Sequence, residues 1–397
     1  MRFLASIGAA AALATTGVVA GAAPAAPDTL LALKTSQGNH ALVRVDPRTL
    51  GPVGASLALE PTSGPFVRSP DGSSLAVGSG LALVLIDTTR LMQVRLRQVV
   101  SKGQLSVVGW PTNDRLFAFS CCSAGNELIV FDPVDRVVVA RVPVKRSFGN
   151  AVALANGIAY LASPLNAIGP ARVVVVDGTG SSRSVTIARI RSGVHWNRLR
   201  SGPVGQIRQP GFTADAKRGV GYLVDAGGLV AAIDLRTLAV TYHRLGASSR
   251  HLARVEKELN GPMRFARWLG GGRIAVTGSN AKTQRLSNGI RRAVWTPAGV
   301  AVVDTVSWRM RMLERASTGF DADGDAIVVW KGKAVEAFAT SGAPLFSLPI
   351  DDGPAYVQVF DGTAYIWGEK RVTIVDVASG TVITSIPRPA LYLLPAN

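Results

Sequence analysis

The residues able to do chemistry in this 397-residue chain fall into four groups. The first is cationic. Arg191, His195, Trp196, Arg198, Arg200 and Arg208 share the stretch RSGVHWNRLRSGPVGQIRQ (191–209), and Lys282, Arg285, Arg291, Arg292 and Trp295 share NAKTQRLSNGIRRAVWTP (280–297). Neither stretch contains Asp or Glu. Guanidinium groups hold carboxylate or phosphate in a planar fork, and indole stacks on sugars or rings. These eleven residues are the candidate binding set, with Trp196 and Trp295 open to a second reading as anchors that pin their segments to the scaffold. The second group is Cys121-Cys122. Neighbouring Cα atoms lie ~3.8 Å apart, below the ~4.4–6.8 Å usual for a disulfide. A strained vicinal disulfide and two free thiols are both open, and no metal-ligand spacing surrounds the pair. The third is FDADGDA, with Asp321, Asp323 and Asp325 alternating. Gly324 comes too early for a calcium loop and no Glu closes it, so it reads as a turn. The fourth is four isolated histidines, His40, His195, His243 and His251, without metal or catalytic spacing. No G-x-S-x-G elbow or S-x-x-K occurs, and Gly270-Gly271-Gly272 does not precede a helix. No motif fixes a reaction, and no cofactor is expected.

The elements that must position these residues are short strands. Pro65 to Arg97 reads as four of them, with turns at Ser69-Pro70-Asp71-Gly72, Gly78-Ser79-Gly80 and Asp87-Thr88-Thr89-Arg90. An apolar third strand ending in Asp recurs at Asp46, Asp87, Asp132, Asp177, Asp234, Asp304 and Asp376, with a weaker copy at Ala339. Spacings of 41, 45, 45, 57, 70, 35 and 37 residues between successive copies predict an all-β propeller of four-stranded blades. Eight blades are expected, or seven if one copy is a decorated loop. The first copy lacks a first strand, and a spare strand, Ala390 to Leu394, follows the last unit. The C-terminal strand should therefore complete the N-terminal blade and close the ring, which removes the open edge.

In a four-stranded meander the connections after strands two and four share one face of the disc. The stretch 191–209 and the segment 246–261 follow fourth strands, and 280–297 follows a second strand, so all three should lie on one face as long loops. The Cys121-Cys122 loop should open there too. SSRHLARVEKELNG (248–261) is the one stretch that predicts a helix: Ser248 or Ser249 caps it, Leu252, Val255 and Leu259 share a face, and Gly261 stops it.

The formal charge of +17 implies attraction to polyanions, although Arg44, Arg95 and Arg97 alternate along strands as a solvated face would. Residues 1–26 read as a secretory signal and short linker: Arg2, an apolar run to about Val19, then Ala20-Gly21-Ala22, with cleavage after Ala22 or within Ala23 to Ala26. Residues 27–397 read as one propeller domain outside the cytoplasm, in the periplasm or at the cell surface. No other apolar run is long enough to span a membrane.

The repeat resembles the YVTN and quinoprotein-like β-propellers, and the Ser69-Pro70-Asp71-Gly72 turn is similar to that of TolB-type propellers. The G-H…W-D signature of WD40 repeats is absent. Eight-bladed quinoprotein alcohol dehydrogenases carry a vicinal disulfide beside the quinone, which Cys121-Cys122 resembles, but this chain is much shorter and lacks their per-blade Trp docking motifs. The expectation is thus a non-enzymatic binding or scaffold module. Its basic face would take an anionic polymer, a glycan or an envelope protein, and no specific nucleic acid. The alternative is an extracytoplasmic propeller enzyme, either a quinone-dependent oxidoreductase or a lactonase-like hydrolase with a metal in the channel. The first-strand segments FVRS, AVAL, MRFARW and YVQVF offer few channel ligands for such chemistry.

Overall fold

A computed structural model describes residues 29–36, 39–96, 99–100, 103–121, 126–199, 202–246, 261–285, 287, 291–317 and 319–394. Its strands form eight antiparallel meanders, one per blade. Blade 2 is typical: Ser63–Arg68, Ser74–Ser79, Ala82–Asp87 and Met92–Leu96 pair in sequence order. Its second and third strands are almost wholly buried, and its fourth is exposed. A blade's middle strands are covered on both faces, so they read as unbroken runs of Val, Leu, Ile and Ala. The apolar clusters lie between blades: one joins Leu161, Val173 and Ile187 of blade 4 to Phe212, Leu223 and Ile233 of blade 5.

The ring closes through both termini. Strand β1 (Leu30–Ser36) pairs with β34 (Leu391–Leu393) in the register Ala32↔Leu393, Leu33↔Tyr392 and Lys34↔Leu391. The Leu394 amide donates to the Leu31 carbonyl at 2.9 Å. Leu393 packs with Trp367 and Ile374 of blade 8, while Leu394 packs with Phe66 and Val84 of blade 2. The tail therefore links blade 1 to both neighbours.

The aspartate that marks seven of the eight repeats holds the turn between third and fourth strands. Asp46 Oδ1 accepts the Arg48 and Thr49 amides at 2.9 and 2.7 Å, and Asp87 Oδ1 accepts those of Thr89 and Arg90 at 2.8 Å each. Asp132, Asp177, Asp234, Asp304 and Asp376 do the same work. Such Asx turns replace backbone pairing where the chain reverses. All eight third-to-fourth-strand turns end on a left-handed residue: Gly serves in blades 4, 7 and 8, but Leu50, Leu91, Arg136, Leu238 and Trp308 adopt φ of 52°, 52°, 59°, 64° and 55°. Left-handed backbone strains a side-chain-bearing residue. Burial of Leu50 and Leu91 between blades offsets that cost.

Part of the arginine excess is structural. Arg44 of blade 1 donates to the Thr88 carbonyl of blade 2 at 2.7 Å and to that of Thr89. Arg115 of blade 3 reaches the Gly178 carbonyl of blade 4 at 3.0 Å, and Arg183 of blade 4 the Arg236 carbonyl of blade 5 at 2.5 Å. Arg273 of blade 6 donates to Thr340 Oγ1 of blade 7 at 3.2 Å. Each brace lands on the third-to-fourth-strand turn of the next blade. Arg44 is thus a brace between blades, and Arg95 is paired with Glu60. Neither belongs to a merely solvated face; Arg97 lies outside the described residues.

The two basic stretches, expected as long loops, are β-hairpins. Strand β15 (Ser182–Leu199) runs on past its blade and pairs with β16 (Gly202–Arg208), which makes blade 4 five-stranded. In blade 6, β22 (Arg273–Arg285) overshoots and pairs with β23 (Arg291–Pro297). Backbone pairing satisfies amides that an irregular loop would leave to water. Blade 6 opens with β21 (Gly261–Gly270). Of the helix expected at 248–261, residues 248–260 lie outside those described and Gly261 opens β21; the expected signal segment 1–26 and Cys122 also lie outside the described residues. No described helix is long and apolar enough to cross a membrane.

Candidate functional site

Both hairpins rise from the face that carries the connections after strands two and four. Their roots are fixed by glycines that no other residue could replace. Gly193 has φ 123°, and a Cβ there would sit 2.1 Å from the Ala167 carbonyl oxygen; at Gly278, φ 150°, it would sit 2.0 Å from that of Met263. Arg264 supports the second root from beneath. It is buried, and its guanidinium donates to the Met263 and Ser279 carbonyls at 2.9 and 3.1 Å and to Asn280 Oδ1 at 2.9 Å. Gln209, leaving β16, exchanges backbone hydrogen bonds with blade 6: its amide donates to Pro262 at 3.0 Å, and its carbonyl accepts from Arg264 at 2.7 Å. Strands β16 and β23 are in contact.

The candidate binding residues are distributed as follows. The register sets Trp196 opposite Gly205 and Arg198 opposite Pro203, and Arg200 lies outside the described residues. In the other hairpin Lys282 faces Val294, Arg285 faces Arg291, and Gln284 faces Arg292. Arg191 is exposed and donates to the Ile168 carbonyl at 2.9 Å, so it also braces its blade. His195 Nδ1 lies 3.1 Å from the Asn166 carbonyl oxygen. Arg208 is half-buried and lines a cavity of about 290 Å³ with Asn150, Ser163, Ile207 and Gln209. Trp295, paired with Ala281, is 44% exposed. An anchor would be buried, so this indole is free to stack on a ligand.

A second concavity lies in the channel. It measures about 410 Å³ and is walled by the inner strands of blades 6, 7, 8 and 1, including β26 (Phe320–Asp323) and β30 (Pro354–Phe360). Asp321, Asp323, Asp361, Gln358 and Arg267 line it, together with Tyr356 and Tyr392. The sequence segments suggested a channel poorer in polar groups than this one. The clue passed over was alternation: in FDADGDA and YVQVF every second residue of an inner strand faces the axis. Asp321 is already committed, however. It pairs with Arg267 and accepts the Val359 amide at 2.8 Å, tying blades 6, 7 and 8 together. Desolvation raises the Tyr356 hydroxyl to about 12, so it stays protonated as a donor. No cluster of three or more His, Cys, Asp or Glu suited to a metal occurs among the described residues.

The molecule is an eight-bladed β-propeller. No protein-family model matches the sequence, and no curated protein matches it. Solved propellers do match in shape. The dihydro-heme d1 dehydrogenase NirN, in complex with DHE, superposes with a TM-score of 0.59 at 12% identity, over 92% of this chain and 74% of that one. Apo AztD from Citrobacter koseri superposes with a TM-score of 0.55 at 12% identity, over 91% and 96%. BamB from Moraxella catarrhalis gives 0.46 at 13% identity, over 90% and 95%. The likenesses to NirN and AztD agree with the propeller resemblance read from the repeat, and at such identities they concern the fold alone.

Proposed function

We propose that the protein is an exported, non-enzymatic propeller that binds an anionic polymer, a glycan or an envelope partner on its hairpin-decorated face. The observation that carries this reading is the meeting of two hairpins whose stretches hold eight Arg or Lys and no acid. Cations gathered on one face attract polyanions, and salt weakens the attraction as the Debye length falls to ~8 Å at physiological ionic strength. Trp295 adds a stacking surface for a sugar ring. Export rests on the apolar N-terminus and its Ala20-Gly21-Ala22 site. The test is binding of purified mature protein to an acidic glycopolymer across a salt series. Saturable binding that weakens with salt supports the reading; no binding at low salt refutes it. The channel cavity favours a second reading, an extracytoplasmic enzyme using Asp323, Asp361 and Gln358. Elemental analysis and absorbance spectra test it, since a stoichiometric metal or a quinone band would move the function into the channel.

A further inference from the structure

Between blades 3 and 4 lies a groove of about 180 Å³ that the basic stretches do not contribute to. Its floor is apolar: Val142 and Val144 on β11 (Val137–Val144), Ala162 on β13 (Gly157–Ser163), and Val174 on β14 (Ile168–Asp177). Its polar groups are unusual. Lys145 and Arg146, in the linker between the blades, and Arg172 on β14 line it, and none of the three forms an ion pair in the described structure. The Arg172 Nε is buried without a hydrogen-bond partner, and among the described residues its guanidinium meets only Thr186 Oγ1, at 3.4 Å. Tyr160 also lines the groove, is 3% exposed, and has no hydrogen-bond partner for its hydroxyl among the described residues. Burial raises its pKa, which keeps the hydroxyl a donor. Ser184 adds another hydroxyl on the facing strand. Glu127 on blade 3 is held 2.7 Å from Arg141, which also reaches the Val99 carbonyl, and neither lines the groove.

The Arg172 Nε is a buried donor without an acceptor, which costs free energy unless something in the groove accepts from it. We infer that this groove binds a tetrahedral oxyanion of the phosphate type, held by Lys145, Arg146, Arg172 and the Tyr160 hydroxyl. The ion is either free phosphate or a phosphomonoester on a larger molecule. The site is separate from the hairpins and does not rest on the proposed polymer surface.

Calorimetric titration at pH 7.5 and fixed ionic strength, with sodium phosphate and with glucose 6-phosphate, tests it. Saturable one-site binding is expected. Arg172→Gln should weaken it at least about tenfold, as loss of a charge-assisted hydrogen bond does. Tyr160→Phe, which keeps the packing, should weaken it about threefold or more. Binding of phosphate alone identifies the free ion; binding of both identifies a phosphomonoester pocket. Arg198→Ser with Arg200→Ser should leave phosphate affinity unchanged, whatever happens to polymer binding. The inference is overturned if neither probe binds by about 1 mM. Unchanged affinity in both Arg172→Gln and Tyr160→Phe would overturn it equally, as would an equal loss on removing Arg48 and Arg90 from the opposite face.

Discussion

Closure of the ring makes a quantitative demand on two adjacent residues. Leu393 is wholly buried among Leu30, Val43, Trp367 and Ile374, and its carbonyl accepts the Gln358 amide at 2.8 Å. Leu394 is 4% exposed among Leu31, Phe66, Leu75 and Ile86. Truncating a buried leucine costs about 3 kcal/mol, within a range of ~2–5. The two side chains enter different clusters, so Leu393→Ala and Leu394→Ala should each cost about 3 kcal/mol. That is a large share of the ~5–15 kcal/mol that stabilises a typical domain. At ~2.1 cal/mol/K per residue, each single change lowers Tm by roughly 3–4 °C. Removing residues 390–397 also deletes the backbone pairs to β1 and should leave a ring that melts far lower or not cooperatively. Circular dichroism melts and urea titrations of the three variants are the assay, with Leu345→Ala, 44% exposed on an outer strand, as the control. A truncated chain with unchanged Tm would refute closure by the C-terminal strand.

Other outcomes follow from the same geometry. Gly157→Ala should destabilise by about 3 kcal/mol or more, because a Cβ there meets the Val176 carbonyl oxygen at 2.2 Å with φ at 148°; an unchanged urea midpoint would contradict the blade 4 register. Asp321→Asn should cost about 1 kcal/mol, since Arg267 is half exposed and the Val359 amide keeps an acceptor; an unchanged urea midpoint would contradict its role in tying blades 6, 7 and 8. Acid should unfold the ring in a defined window. Backbone amides lower Asp46, Asp87, Asp234 and Asp304, and hydroxyl donors lower Asp177 and Asp376, from 3.8. Carboxylates with depressed folded values stabilise above 3.8, and that contribution is lost as pH falls through the folded values. Stability should stay level from pH 7 to about 5 and drop below about 4; stability that rises on acidification to pH 3 would contradict the Asx-turn account.

The blades were legible because their marker has a local cause. An Asx turn is made by one carboxylate and the amides two and three residues on, so it leaves a fixed trace at Asp46, Asp87 and their counterparts. Closure was legible from a missing first strand and a spare last one. The hairpins were misread as loops because Arg, Trp and Gly interrupt the apolar alternation that identifies strands, although Val194 and Ile207 still pair across the first of them. The arginine braces left no trace, since Arg44 and Thr88 are 44 residues apart and a carbonyl acceptor has no residue type. The groove between blades 3 and 4 was hidden for a related reason: Lys145, Tyr160 and Arg172 come together only when two blades pack.

The measurement that bears most directly on the proposed binding face is a comparison of two quadruple variants at one net charge. In the first, Arg198, Arg200, Arg291 and Arg292 become Ser. In the second, Arg48, Arg90, Lys217 and Arg236 become Ser; these sit in turns after first and third strands, on the opposite face. Affinity for an acidic glycopolymer is measured for both across a salt series. The account predicts that the hairpin variant loses most binding while the opposite-face variant keeps it. Equal loss in the two would show that net charge alone is at work and contradict a localised face.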